Sequence, residues 1–358
     1  MLDDSLLDDR TRLLEADVAG LLRAAARAGA QVRATAEVAD ELGVRRVFQE
    51  RPRALVLVTR PGVAPAVAAL VTALLGPRCP VPVVVVDDVP GWVGPLDVVL
   101  AHTEDPGDVV LAEAVDRAAR RGARVLLTAE ADGPVAASAA QHALLIPPRV
   151  PVPRGFGFPR AFAAWVVALH ALRLLDVNVS VIADELDREA ERDHPVHESF
   201  VNPAKSLALR VADRTPLLWG LDDPATAVAA HGAHVLACYA GLVSDVAPYP
   251  QALTRSVLHR RAVRGSSGAD IFADPEDEQD GLVRVLLLAV RQDRAAERAR
   301  RSAMETLPGA DVLEPAEEVT GGDAVCSALL ALRFEMAALY LGLAAGTLGG
   351  PGLYAPAV

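Results

Sequence analysis

Two α/β domains are predicted, each a doubly wound parallel-sheet sandwich, behind an N-terminal helical segment. Three observations carry this reading. At 358 residues, 52% of them apolar and 23% charged, the chain exceeds the usual span of one core and has the apolar residues for two. Its strand-like runs, such as Leu55–Val58 and Val81–Val86, lack inside/outside alternation, the mark of strands buried on both faces. Helical apolar patterns separate those runs, so right-handed crossovers wind helices onto both sides of the sheet.

The elements follow in order. Leucines at Leu6, Leu7, Leu13, Leu14, Leu21 and Leu22 predict one amphipathic helix over Asp3–Ala30, with Asp3 and Asp4 favouring its N-terminus. A second helix, Ala34–Leu42, ends at Gly43. The strands Leu55–Val58, Val81–Val86, Val98–Ala101, Val125–Leu127 and Ala143–Ile146 alternate with helices over Ala64–Leu75, Asp108–Arg121 and Pro134–His142. After the bend Pro147–Pro153 come an apolar helix, Phe156–Leu175, and a charged helical connector, Asp184–His197. The second half reads as helix Pro203–Ala212, strand Pro216–Trp219, helix Ala225–Tyr239 and a turn-rich Ser244–Gln251. It continues with an acidic surface loop, Gly265–Gly281, strand Val283–Ala289, helix Arg294–Leu307, strand Asp311–Leu313 and a final apolar helix, Ser327–Ala345. The expected organisation is a helical segment 1–45, a first domain 46–180, a connector 181–200 and a second domain 201–358.

A net charge of −12 argues against a nucleic-acid or anionic-membrane partner. Arginine supplies nearly all the positive charge, Lys205 being the only lysine. The odd set Cys79, Cys238 and Cys326 has no disulfide or zinc spacing, as expected of a reducing compartment. The acidic start Met1-Leu-Asp-Asp-Ser is unlike a signal peptide, and no apolar run is read as long enough to span a bilayer. Phe156–Leu175 comes nearest and is interrupted by Arg160, His170 and Arg173. A soluble cytoplasmic protein is expected.

The stretch Arg53–Leu75 is a buried strand, a turn at Thr59–Gly62 and a helix start. In α/β proteins that geometry aims backbone N–H groups at a phosphate. Several longer segments point to a family. They are Val81-Pro-Val-Val-Val-Val-Asp-Asp-Val-Pro-Gly-Trp-Val-Gly94 with Asp97–Ala101, Gly122-Ala-Arg-Val-Leu, the run from Asn202-Pro-Ala-Lys-Ser to Leu-Leu-Trp-Gly220, and Tyr340-Leu-Gly-Leu-Ala-Ala-Gly within Arg333–Gly346. In this order, from roughly Leu13 to Leu353, the chain resembles the two-domain sugar isomerase (SIS) family, most closely the bifunctional phosphoglucose/phosphomannose isomerases. The resemblance implies two SIS domains, a homodimer and a sugar phosphate ligand in a cleft. It also implies aldose–ketose isomerisation of glucose 6-phosphate or mannose 6-phosphate to fructose 6-phosphate. That chemistry uses a carboxylate as proton shuttle and needs no cofactor or metal.

The family's loops differ here. Its glycine- and serine-rich phosphate loop is replaced by Thr59-Arg-Pro-Gly-Val-Ala-Pro65, in which Gly62 remains and two prolines remove N–H donors. Thr59 and Arg60 can offer a hydroxyl and a guanidinium instead, or the segment is an ordinary turn. Its hydroxyl-rich second loop becomes His102-Thr-Glu-Asp-Pro-Gly-Asp108, in which Thr103 is the surviving hydroxyl. Glu104, Asp105 and Asp108 there repel a dianion, or simply cap a helix. The family's catalytic glutamate falls near Cys238, on a helix that has no carboxylate from Pro224 to Ser244; its histidine and late lysine also lack counterparts. Replacements on that helix are His231, His234 and Cys238, either as a His–Cys nucleophile or as a His231–His234 metal pair. The other reading gives each a buried hydrogen bond or a place at the surface. Two functions follow: an isomerase with a rebuilt site, or a non-catalytic sugar-phosphate-binding, regulatory or structural homologue.

Overall fold

The β-branched runs form two parallel sheets, and the intervening apolar stripes form helices on their faces. The structure, a computed structural model, describes residues 3–139, 143–266, 283–316, 319 and 321–348. The chain opens with α1 (Asp4–Asp8), α2 (Arg10–Ala16) and α3 (Leu21–Ala25). There follow α4 (Ala28–Glu41), α5 (Val44–Val47), β1 (Leu55–Thr59), α6 (Ala64–Leu75), β2 (Val83–Val86), β3 (Val98–His102) and α7 (Val109–Arg120). Next are β4 (Arg124–Thr128), α8 (Pro134–Ala139), β5 (Ala143–Ile146), α9 (Phe158–Ala171) and α10 (Val179–Arg192). The rest comprises α11 (Pro203–Val211), β6 (Thr215–Gly220), α12 (Asp223–Ala240), β7 (Asp245–Pro248), α13 (Tyr249–Thr254), α14 (Ser256–Ser266), β8 (Val283–Leu288), α15 (Arg294–Thr306), β9 (Asp311–Leu313) and α16 (Asp323–Ala344). Two compact units result: Arg27–Asp187, and Met1–Ala26 with Arg188–Val358, the division falling within α10.

In the unit Arg27–Asp187 the strand order is β2-β1-β3-β4-β5, all parallel, with Leu55 opposite both Val83 and Val98. Val56, Val58, Val99 and Val125 pack with Leu111 and Val115 of α7 and Val135 of α8. The other face carries α6 and α9, and α9 is buried from Phe158 to Leu169.

In the other unit the order is β7-β6-β8-β9, again all parallel. One core joins Leu217, Trp219, Val285 and Leu287 to Tyr249, Ala262 and Ala303. Helices α12, α11 and α16 pack together as a second layer. Contact between α12 and α16 is close because two glycines omit a side chain: a Cβ on Gly232 would stand 2.7 Å from the Phe334 ring, and one on Gly342 2.3 Å from the Tyr239 carbonyl.

Three expectations need correction. The single N-terminal helix is broken into α1, α2 and α3. Asp9 accepts from the Thr11 and Arg12 amides, Asp17 from those of Leu21 and Leu22, and Gly20 turns left-handed at φ 66°. These local caps outcompete the leucine periodicity. Ser244–Gln251 holds an edge strand, β7, followed by α13; Asp245 and Pro248 hid the strand. Asp245 is held by Trp219 Nε1 at 3.0 Å and by Arg255. Finally, α16 is apolar and long enough to cross a membrane, contrary to the expectation that no run is, but its apolar window is wholly buried. The expected loop Gly265–Gly281 lies almost wholly outside the described residues, as does the end of the helix expected to reach His142.

Lys205 is held by structure. Asn202 caps α11 by accepting from the Lys205 amide at 2.9 Å, and Pro203 occupies the first turn. The Lys205 ammonium donates to the carbonyls of Pro195 (2.9 Å) and His197 (2.7 Å) and lies over the Tyr340 ring.

Beside it lies a buried acidic group. Asp193 Oδ1 accepts from the Ala204 amide at 2.9 Å, while Oδ2 is buried without a hydrogen bond. Burial, and then the charge of Glu189, hold the Asp193 carboxyl well above the usual carboxylate range. The folded chain therefore keeps a proton that the unfolded chain releases, so this contribution to stability declines as pH rises from about 4 toward the raised value. Asp193→Asn should flatten that decline when unfolding is followed across pH. An unchanged slope would show that Asp193 does not titrate as its burial demands.

Candidate functional site

Parallel sheets bind ligands beyond the carboxyl ends of strands where the winding reverses. In the unit Arg27–Asp187 that point lies between β1 and β3. Thr59 pairs in register with His102, so the loops carrying Thr59, Arg60 and Gly62 on one side and Thr103 on the other meet there. Their polar groups are already engaged. Thr59 Oγ1 donates to the Val86 carbonyl at 3.2 Å. The Arg60 guanidinium donates to both oxygens of Asp108, at 2.6 and 3.1 Å, while Asp108 also caps α7 by accepting from the Leu111 amide. Both side chains of this pair are largely shielded from water. Thr103 is buried, its Oγ1 accepting from the Asp105 amide at 3.1 Å. Gly62 adopts φ 114°, and the nearest atom to a Cβ built there is Glu104 Oε2, 3.7 Å away. The Glu104 carboxylate accepts from the Gly155 amide with both oxygens, at 3.1 Å each.

Two residues of this region were not singled out as site residues from sequence. His102 is buried with Nδ1 2.8 Å from Thr128 Oγ1; the Thr128 hydroxyl donates to the Ala101 carbonyl, so the ring nitrogen donates and Nε2 is left bare. Burial, and then the nearby Arg160 charge, hold the ring well below its ordinary pKa and hence neutral. Arg160 is buried, with Nη1 3.7 Å from Glu130 Oε1 and no hydrogen bond at Nε or Nη1. Burial lowers its pKa, with Glu130 and Glu104 opposing. The available signal was a lone arginine inside an apolar helical run.

In the other unit the reversal lies between β6 and β8. Asp222 follows β6 and caps α12, its Oδ1 accepting from the Ala225 amide at 2.9 Å. Its Oδ2 accepts from the amides of Val290 (2.9 Å) and Arg291 (3.0 Å), just after β8. A carboxylate of the chain thus bridges the loops at both reversal points, Asp108 in one sheet and Asp222 in the other.

The three candidates on α12 do not form one group. His231 is buried against α16, its Nε2 3.1 Å from Glu335 Oε1, and both side chains are nearly inaccessible. His234 is half-buried and Cys238 exposed, with Sγ 3.6 Å from Nε2. Burial, and then His231, lower the His234 pKa; burial pushes the Cys238 thiol up. Both directions oppose a thiolate–imidazolium pair, which a nucleophilic cysteine requires. Among the described residues no group of three or more His, Cys, Asp or Glu side chains is arranged to hold a metal.

Residues 200–347 match the family of the bacterial phospho-glucose isomerase C-terminal SIS domain. Among solved structures, tagatose-6-phosphate ketose/aldose isomerase from Escherichia coli is similar over 94% of this chain and 96% of its own, at TM-score 0.63 and 12% identity. The C-terminal domain of glucosamine-fructose-6-phosphate aminotransferase from Francisella tularensis is similar over 92% and 96%, at TM-score 0.61 and 10% identity. A hypothetical protein from Thermus thermophilus is similar over 95% and 89%, at TM-score 0.59 and 15% identity. At such identities the likeness is one of fold. No curated protein matches the chain. Residues 200–347 thus match an SIS domain, and the chain shares over most of its length the parallel α/β fold of these solved structures.

Proposed function

We propose that this chain is a non-catalytic SIS homologue with a structural or regulatory role. The observation that carries this reading is that Asp108 and Asp222 fill the two edges where an anion would dock. Arg60, the cation on the first of the two loops at that edge, is neutralised by Asp108. At the second edge, three backbone amides that an anion needs are taken by Asp222. A sugar phosphate would have to displace these carboxylates, against their repulsion, before using the same donors. The competing reading, isomerisation of glucose 6-phosphate or mannose 6-phosphate, draws on the family match and on His231 and His234. A cytoplasmic homodimer is carried forward with both.

A coupled assay for fructose 6-phosphate, run with each aldose phosphate, should give no rate above the protein-free control. Fructose 6-phosphate, 6-phosphogluconate or inorganic phosphate at millimolar concentration should leave Tm unchanged. Turnover that survives purification and falls in His231→Ala or His234→Ala would overturn the proposal. A saturable rise in Tm with a sugar phosphate would restore ligand binding as the function.

A further inference from the structure

We propose that Asp193 is a proton-operated latch: while its carboxyl is protonated it pins the loop His194–Val201 between α10 and α11, and the proton leaves as the loop opens. Glu189 and Asp193 stand one helical turn apart at the end of α10, and both are completely buried. Arg192 on α10 and Arg333 on α16 both bond to Glu189. Asp193 accepts from the Ala204 amide, at the start of α11, through Oδ1, while Oδ2 is buried and bare. A second carboxylate charge at this spot would face Glu189 without a cation of its own. Burial, and then Glu189, accordingly hold the Asp193 carboxyl above its ordinary range.

The loop is fastened around the same carboxyl. Asn202 Nδ2 donates to the His194 carbonyl at 3.2 Å, the Lys205 ammonium donates to the carbonyls of Pro195 and His197, and the Tyr340 hydroxyl donates to the Asp193 carbonyl. The bond from Ala204 to Asp193 ties the loop's entry to its exit. Helices α11 and α16 are packed on each other, so the loop, whose Val196, Phe200 and Val201 side chains are exposed, is the neighbour of Asp193 that can move aside and admit water. Of the other titratable groups here, Tyr340 is kept neutral by burial, and Asp17, which acts on Tyr340, accepts from the Leu21 and Leu22 amides. Asp8 holds Ser199, and with Glu198 its charge favours the Lys205 ammonium. On the loop, His194 Nδ1 accepts from the Val196 amide, a bond that protonation removes, so its titration loosens the loop at low pH, the opposite sign. His197 lies 4.0 Å from Glu191 in an exposed pair, which contributes little.

Chymotrypsin cuts after Phe200 only when the loop leaves its hydrogen bonds. Cleavage of the full chain at Phe200, divided by the rate on a free peptide of residues 194–204, should rise between pH 5 and 9. The expected rise is up to about tenfold per pH unit, levelling off once the closed loop itself loses the proton. Asp193→Asn keeps both loop histidines and an uncharged side chain, and should give a flat, low ratio. As an independent measure, the infrared difference between the parent and Asp193→Asn at pH 6 should contain a protonated-carboxyl band. A flat ratio in the parent, the same slope in Asp193→Asn, a slope shared by cleavage sites throughout the chain, or a missing carboxyl band would overturn the assignment.

Discussion

Replacing Arg333 with methionine is expected to lower stability by about 3–5 kcal/mol. Glu189 is completely buried, and its carboxylate is held by Arg333 Nε at 2.6 Å and by Arg192 Nη1 at 3.1 Å. Arg333 also donates to the Glu314 carbonyl at 3.3 Å. Methionine matches the aliphatic length of arginine but strands the carboxylate beside Asp193, whose burial already disfavours a second charge. For a domain of this size the loss corresponds to a fall in Tm on the order of 10 °C. The double variant Glu189→Met with Arg333→Met should recover most of it, because a buried pair is worth little against apolar groups of similar volume. Urea unfolding of the three proteins measures the coupling directly. A loss below about 1 kcal/mol for Arg333→Met, the range of an exposed ion pair, would mean that Glu189 is relieved by water or by Arg192 alone.

The second large effect is expected at Asp222. Its carboxylate satisfies three backbone amides, one at the start of α12 and two after β8. Asp222→Ala removes a helix cap and leaves Val290 and Arg291 without their acceptor, for a loss of roughly 2–4 kcal/mol. The vacated donors then form an anion site at a helix N-terminus. Millimolar inorganic phosphate should therefore raise the Tm of Asp222→Ala by mass action and leave the parent unaffected. If the parent responds equally, Asp222 does not occupy an anion position and the non-catalytic reading loses its main support. If neither responds, the carboxylate is a cap and nothing more.

The strands were legible because their signal is local: Leu55–Thr59 and Val98–His102 are β-branched or aliphatic through nearly their whole length, and burial on both faces demands that composition wherever the strand lies in the chain. Helix starts at Asn202 and Asp108 were legible for the same reason, since a cap and its amide are neighbours in sequence. Where two local signals competed, as between leucine periodicity and the caps Asp9 and Asp17, the stronger one was not evident from pattern alone.

The site was written differently. Thr59, Arg60, Gly62 and Thr103, named from the sequence, lie at one sheet edge, and His231, His234 and Cys238 on one helix. What each side chain faces depends on partners far along the chain. Asp108 lies 48 residues from Arg60, the amides of Val290 and Arg291 lie 68 and 69 from Asp222, Glu335 lies 104 from His231, and Arg333 lies 144 from Glu189. The sequence by itself determined the layers and the loops that border each sheet edge, because backbone conformation and burial follow nearest-neighbour chemistry. Only the tertiary structure decided that a carboxylate of the chain bridges the loops at each edge, because the Arg60–Asp108 ion pair and the Asp222 bonds to the Val290 and Arg291 amides depend on distances that only the folded chain sets.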